Sequence, residues 1–208
     1  MNLNQGLRQI VAVGIAGTAM VLNGCAVPPT EQLDAAQKTI YAAKAAGADV
    51  YAQEDFAGLE AQFALAKDEL AKQEKAFFIV RSYAAADNLL AQVVKTGQQV
   101  EAKTAEKKEA AKTAAITMEK EAQAALSSAR ELMANAPTGK ERAAVEAIKT
   151  DLIGLETNLG TVHELIKKGD YLGAESRAKA LKESGSSVSQ EIQHAIDKTK
   201  GKKPKAHA

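Results

Sequence analysis

Residues 100–123 read VEAKTAEKKEAAKTAAITMEKEAQ, with no proline, no glycine and no cluster of turn-forming residues. Ala, Lys and Glu dominate it, and these are among the strongest helix formers. The stretch therefore reads as continuous helix. A turn here would divide the chain into two separate domains, whereas a helix makes one element common to both halves. The middle offers only Ala as apolar side chain, so a solvated segment bridging two bundles is expected.

Periodic helix lies on both sides. Upstream, Tyr83, Ala86, Leu90, Val93, Gly97 and Val100 recur at alternating spacings of three and four. Before them, Phe56, Leu59, Phe63, Ala66, Leu70, Gln73 and Phe77 do the same. Such a narrow stripe must meet other helices. Downstream, Val145, Ile148, Leu152, Leu155, Leu159, Val162 and Ile166 match the Phe56 series, and Tyr171, Ala174, Ala178, Leu181, Gly185 and Val188 match the Tyr83 series. The offset is about 88 residues in both cases, the signature of an internal repeat. Ala36, Ile40 and Ala43 recur more faintly as Ala122, Leu126 and Ala129.

No proline stands between Pro29 and Pro137, and strand-like alternation is missing. The fold class is thus all-α, with two tandem three-helix bundle units sharing a long central helix that runs from about Ser82 to Asn135. The first unit takes residues 31–105 and the second residues 106–200. Local punctuation agrees. Thr30 after Pro29 is expected to cap the first helix and Gly47 to end it. Thr138-Gly139-Lys140-Glu141 offers a capping box, and Gly169-Asp170 supplies a C-cap followed by an N-cap. Gly97 and Gly185 sit on the stripe, where they either admit close packing or soften the helix.

The amino terminus is different in kind. A polar segment with one basic residue, Arg8, precedes the uncharged run from Ile10 to Leu22. That run is short for a membrane span and suits the apolar region of a secretory signal. Leu22-Asn23-Gly24-Cys25 follows, and Cys25 is the sole cysteine. These residues resemble a bacterial lipobox, although Asn23 is an unusual residue at its position. The resemblance implies a signal peptide over 1–24, cleavage after Gly24, a diacylglyceryl thioether on Cys25 and a new amino terminus open to palmitate-type acylation. An ordinary signal peptide with an incidental cysteine is the plainer alternative, but no second cysteine exists for a disulfide. Residues 25–30 form a tether. Ala26 after the cysteine, rather than Asp, resembles the Gram-negative sorting pattern for the outer membrane, periplasmic face.

The stretch GADVYAQEDFAGLEAQFALAKDELA, residues 47–71, resembles the small bacterial lipoproteins of domain-of-unknown-function family 4398 (DUF4398). The resemblance rests on Gly47-Ala48, Tyr51-Ala52 and the acidic helix start Glu54-Asp55-Phe56. The family's Gly-Asp-Tyr turn stands as Gly169-Asp170-Tyr171 and is altered to Arg81-Ser82-Tyr83 in the first unit. The likeness covers residues 22–105 well and the second unit weakly. It implies an envelope role, since some relatives carry an OmpA-like peptidoglycan-binding domain, and it brings no catalytic residue. KKGDYLGAESRAKAL, residues 167–181, is also similar to a tetratricopeptide helix, but the 34-residue period and the Trp-Leu-Gly signature are missing.

Charge and chemistry narrow the function. Arg8 is the only charged residue of the leader and the total is +1, so the remainder is balanced. A basic excess for nucleic acid is absent. His163, His194 and His207 lack helical metal spacing, so no metal or cofactor is expected. Ser128, Ser176 and Ser186 lack a turn that would present a nucleophile. The expectation is a non-enzymatic, lipid-anchored envelope scaffold or adaptor. Its partners would be the membrane and either peptidoglycan or an OmpA-like envelope protein. The alternative is a chaperone-like or tetratricopeptide-like binder of peptides or small apolar ligands.

Two surface features remain. The tail KTKGKKPKAHA ends the chain with five lysines, Lys198, Lys200, Lys202, Lys203 and Lys205. It reads either as a solubilising end or as an arm for anionic surfaces, with Lys202, Lys203 and Lys205 as contacts. Phe78, Ile79 and Val80 occupy a turn where polar residues are usual. They are either a buried corner or an exposed contact for membrane or partner.

Overall fold

A computed structural model describes residues 26–136 and 142–200. The leader, Cys25, the capping box at 138–141 and the tail beyond 200 lie outside the described residues. Six helices follow in order: α1 (Thr30–Ala46), α2 (Ala48–Tyr51), α3 (Gln53–Lys75), α4 (Ala84–Ala134), α5 (Arg142–Lys168) and α6 (Tyr171–Lys200). Among the described residues there is no strand, and the protein is all-α.

The long helix runs unbroken through residues 100–123. Its 51 residues span roughly 75 Å at the α-helical rise of about 1.5 Å per residue. Its buried positions are Ala86, Leu90, Val93, Gly97, Val100, Thr104, Ala111, Ala115, Ala122, Leu126 and Ala129. They advance by close to one or two whole helical turns per step, so the stripe runs straight along a single face. The expected bare middle is corrected here. Thr104, Ala111 and Ala115 are covered, and Thr104 satisfies its hydroxyl by donating to the Val100 carbonyl at 2.7 Å. Small side chains were a sign of close helix approach, not of solvent.

The amino-terminal half of α4 packs against α1, α2 and α3 around Leu59, Leu90 and Val93, all fully buried. Its carboxyl-terminal half packs against α5 and α6 through two clusters, one around Val162 and Leu181 and the other around Leu126, Leu152 and Ile192. Leu155 and Leu159 touch both of these clusters and stay half-buried.

Helix ends follow local chemistry. Thr30 is not a cap, because Pro28 and Pro29 preset the backbone and Thr30 is already helical, its N–H bonded to the Pro28 carbonyl at 2.9 Å. Gly47 ends α1 at φ 96°, a conformation that favours glycine. Gly169 does the same for α5 at φ 81°. There the Asp170 N–H reaches the Leu165 carbonyl and the Gly169 N–H the Ile166 carbonyl, each at 3.0 Å, a Schellman pair. Asp170 then caps α6, accepting the Gly173 N–H at 3.0 Å. One difference from expectation is a break at Ala52 (φ −139°, ψ 45°), which splits off the short α2. Buried Ala48 and Ala52 let that corner sit tightly on the core.

Gly97 and Gly185 are close-packing positions. A Cβ at Gly97 would overlap the Thr39 methyl on α1, and one at Gly185 would press on Leu126 at 3.1 Å and Ala125 at 3.3 Å on α4. Gly97→Ala should destabilise the fold by about 1–3 kcal/mol through overpacking. Thr39→Ser in the same chain removes the opposing methyl and should recover most of the loss in urea melts. Leu152→Ala, at a buried position, should cost about 2–5 kcal/mol, while exposed His163→Ala should stay within about 0.5 kcal/mol.

Candidate functional site

The chain reverses between α3 and α4 through residues 76–83. Here Phe77, Phe78, Ile79 and Val80 are exposed by 66, 59, 71 and 70%. The buried-corner reading of Phe78, Ile79 and Val80 is thereby excluded. Phe77, expected on the stripe of α3, lies past the helix end at Ala76 and faces out beside Phe78, their ring centroids 4.8 Å apart.

This exposure is held in place. The Val80 N–H donates to the Phe77 carbonyl at 2.9 Å, closing a tight turn. The Arg81 guanidinium donates to the carbonyls of Glu74 and Ala76 at 2.8 and 3.1 Å, which satisfies the open end of α3. Gln73 takes the Ser82 N–H on its Oε1 at 3.1 Å and donates from Nε2 to Glu69 at 2.9 Å. That donation, with Lys72 nearby, holds the Glu69 carboxyl below the ordinary carboxylate range. Tyr83 is buried and anchors the start of α4.

The same end of the molecule receives the tether. Val27 through Gln32 line a surface cleft together with Asp87 of the first turn of α4. Val27 is 80% exposed and Pro29 is buried. The first described residue, Ala26, packs against the core of this half. Helix α1 runs away from this end, α3 returns to it, and α4 leaves it again.

At mid-length the two halves meet. The Tyr51 hydroxyl donates to the Gly169 carbonyl at 2.9 Å. Its ring lies under Lys108, whose ammonium is 5.8 Å from the centroid. Asp55 pairs with Lys103 at 2.8 Å and Lys107 at 3.3 Å, and these bonds hold its carboxyl below the usual range. Gly47-Ala48 and Tyr51-Ala52, which carried the family likeness, thus form this corner: a left-handed glycine, two buried alanines and a tyrosine reaching the other half. Ile192 and Ile196 of α6 lie against Leu132 and Met133 at the end of α4, so α6 finishes at the far end of the rod.

Other candidate residues do not converge. His163 is exposed and meets Glu119 of α4 at 3.1 Å. His194 is exposed, and so are Ser128, Ser176 and Ser186, with the Ser186 hydroxyl donating to its own helix at Lys182. Among the described residues no three His, Cys, Asp or Glu side chains gather to hold a metal ion. An open groove runs between α5 and α6 past Gly154, Leu155, Asn158, Ser184 and Ser187, and it lies wholly within the second half. Among the described residues no helix is long and apolar enough to cross a membrane. Comparison with protein-family models, curated proteins and solved structures finds no match to this chain.

Sequence reasoning located the apolar turn but missed its brace. The available signal was Gln73, a polar residue on an otherwise apolar stripe. Gln73→Val, which installs the residue found at the corresponding Val162, should free the Ser82 N–H. Its amide should exchange several-fold faster, as loss of about 1 kcal/mol implies, with little change in global melting. The brace also depends on ionised Glu69. A lowered folded-state pKa contributes stability above the ordinary carboxylate range, which is lost as pH falls through the lowered value. The Ser82 and Gln73 side-chain amide shifts should therefore move together in an acid titration, below the pH at which exposed glutamates titrate.

Proposed function

We propose that this protein is a lipid-anchored, non-catalytic scaffold of the Gram-negative cell envelope, akin to the DUF4398 lipoproteins, with Cys25 as its acylated residue. The signal-like residues 1–24 and the lipobox support the anchor, and Ala26 favours the outer membrane, periplasmic face. The observation that carries the reading is polarity. Residues 26–32 and the apolar turn share one end of a rod whose central helix is roughly 75 Å long, and α6 ends at the other. A chain tethered by lipid at Cys25 would hold its far end, followed in sequence by Lys202, Lys203 and Lys205, well away from the bilayer. That suits an adaptor reaching toward peptidoglycan or an OmpA-like envelope protein. We read the two halves as copies of one three-helix unit, because the pairs Ala86 and Ala174, Gly97 and Gly185, and Val100 and Val188 are buried alike. The alternative, a binder of peptides or small apolar ligands, is less favoured because the groove between α5 and α6 takes nothing from the first half.

In a Gram-negative host fed a labelled fatty acid, the native chain should incorporate label and Cys25→Ser should not. Label retained in Cys25→Ser would overturn the anchor. Removing residues 201–208 should leave melting unchanged and weaken binding to isolated sacculi, the difference vanishing at high salt as exposed charges are screened.

A further inference from the structure

We infer that the turn Phe77–Val80, together with Val27, inserts into the lipid bilayer interface by apolar burial alone and so fixes the rod upright on the membrane. The inference rests on the anchor proposed above for its location, and on the geometry of the turn for its mode.

Four consecutive large apolar side chains, each more than half exposed, stand at the tip of the turn between α3 and α4. Among the described residues, nothing in the first half of the molecule covers them. The turn cannot fold back to hide them, because three sets of bonds hold it: Val80 to Phe77, Arg81 to Glu74 and Ala76, and Ser82 to Gln73. A preorganised apolar tip loses little conformational freedom when it enters a new surrounding.

Position selects the occupant. The tip shares its end of the rod with Val27, which stands two residues after Cys25 and is itself 80% exposed. A diacylglyceryl group on Cys25 would bring this end to the headgroup layer before any other part of the molecule. Two residues of extended chain reach only about 7 Å, so Val27 stays at the surface and the neighbouring tip stays within reach of it. The occupant is therefore the lipid itself, not a protein partner approaching from solution.

The local charges set the mode. Basic anchors beside an apolar tip would suggest attraction to anionic headgroups. Arg81, however, is committed to the carbonyls that end α3. Lys72 is paired with Glu69 at 3.5 Å, and Glu74, Glu31 and Asp87 offset the charges of Lys75 and Arg81 at the same end. The end has no net cationic face, so insertion should proceed on uncharged lipid and resist salt. The corresponding turn of the second half is different. Lys167 and Lys168 replace the apolar residues there, and that turn lies at mid-length beside Tyr51, where no bilayer could reach it.

The chain has no tryptophan, so a single one reports its own surroundings. The acylated chain carrying Ile79→Trp, its acyl group verified by mass, is placed in phosphatidylcholine vesicles. The expected result is a blue-shifted emission, quenched by bromine-labelled lipid and unchanged between low and high salt. Ile153→Trp on α5, 56% exposed in the native chain, should show neither shift nor quenching, as the upright rod requires. Unquenched Ile79→Trp emission, equal with and without vesicles, would overturn the inference. So would a blue shift that grows with protein concentration in the absence of vesicles, which would assign the tip to a second copy of the chain. If mass shows no acyl group, the anchor proposal fails by itself. The tip is then tested with Cys25 coupled to a maleimide-headgroup phospholipid, and the same emission criteria apply.

Discussion

One constraint organises the molecule: the buried stripe of α4 is longer than any other helix can cover. A straight apolar face of roughly 75 Å must be shielded from water along its whole length. The chain meets this with two sets of shorter helices placed end to end on the same face, α1 to α3 on one half and α5 with α6 on the other. Everything else follows from that arrangement. The two sets must abut, and they do so at Tyr51 and Gly169. The helices must approach closely, because alanine and glycine dominate the stripe and offer little side chain to fill a gap.

That close approach explains a composition that otherwise looks poor in core residues. Aromatic residues make up 4% of the chain, and few large side chains are fully buried. Packing is achieved instead by bringing backbones together at Ala36, Ala43, Gly97, Ala115, Ala122 and Gly185. Dispersion contacts between closely spaced helices substitute for bulk. The cost of the strategy is intolerance: a single methyl at Gly97 meets a methyl on α1. Polar residues on the stripe are then read correctly as specialised. Thr104 bonds its own helix, and Gln73 braces a turn.

The arrangement also gives the rod two unlike ends. Helices α3 and α5 run the same way along α4, so the turns that follow them cannot occupy equivalent places. The turn of the first half projects from the terminus of the rod, and that of the second is set against the middle. Phe77–Val80 in one and Lys167-Lys168 in the other are the residue types appropriate to those two positions. An end that no described segment covers can carry exposed apolar residues, whereas a mid-length corner must satisfy the polar ends of α5 and α6 beside the charged face of α4.

The sequence by itself determined the helical class, the continuity of α4, the ends at Gly47 and Gly169 and the Asp170 cap. Each of these is encoded in residues close together along the chain: helix propensity, an uninterrupted spacing, and the left-handed backbone that glycine tolerates. It also pointed to residues 78–80 and to Cys25 as unlike their surroundings. Tertiary structure alone decided where residues 78–80 lie, on the surface and not in a core. The cover over Thr104 and Ala111 depends on what arrives from distant segments, and the exposure of Phe78 on none arriving among the described residues. The reach of Tyr51 to Gly169, across more than a hundred residues of chain, depends on such an arrival too. Local propensity records which conformation a segment prefers, and it holds no record of which other segment will remove water from it.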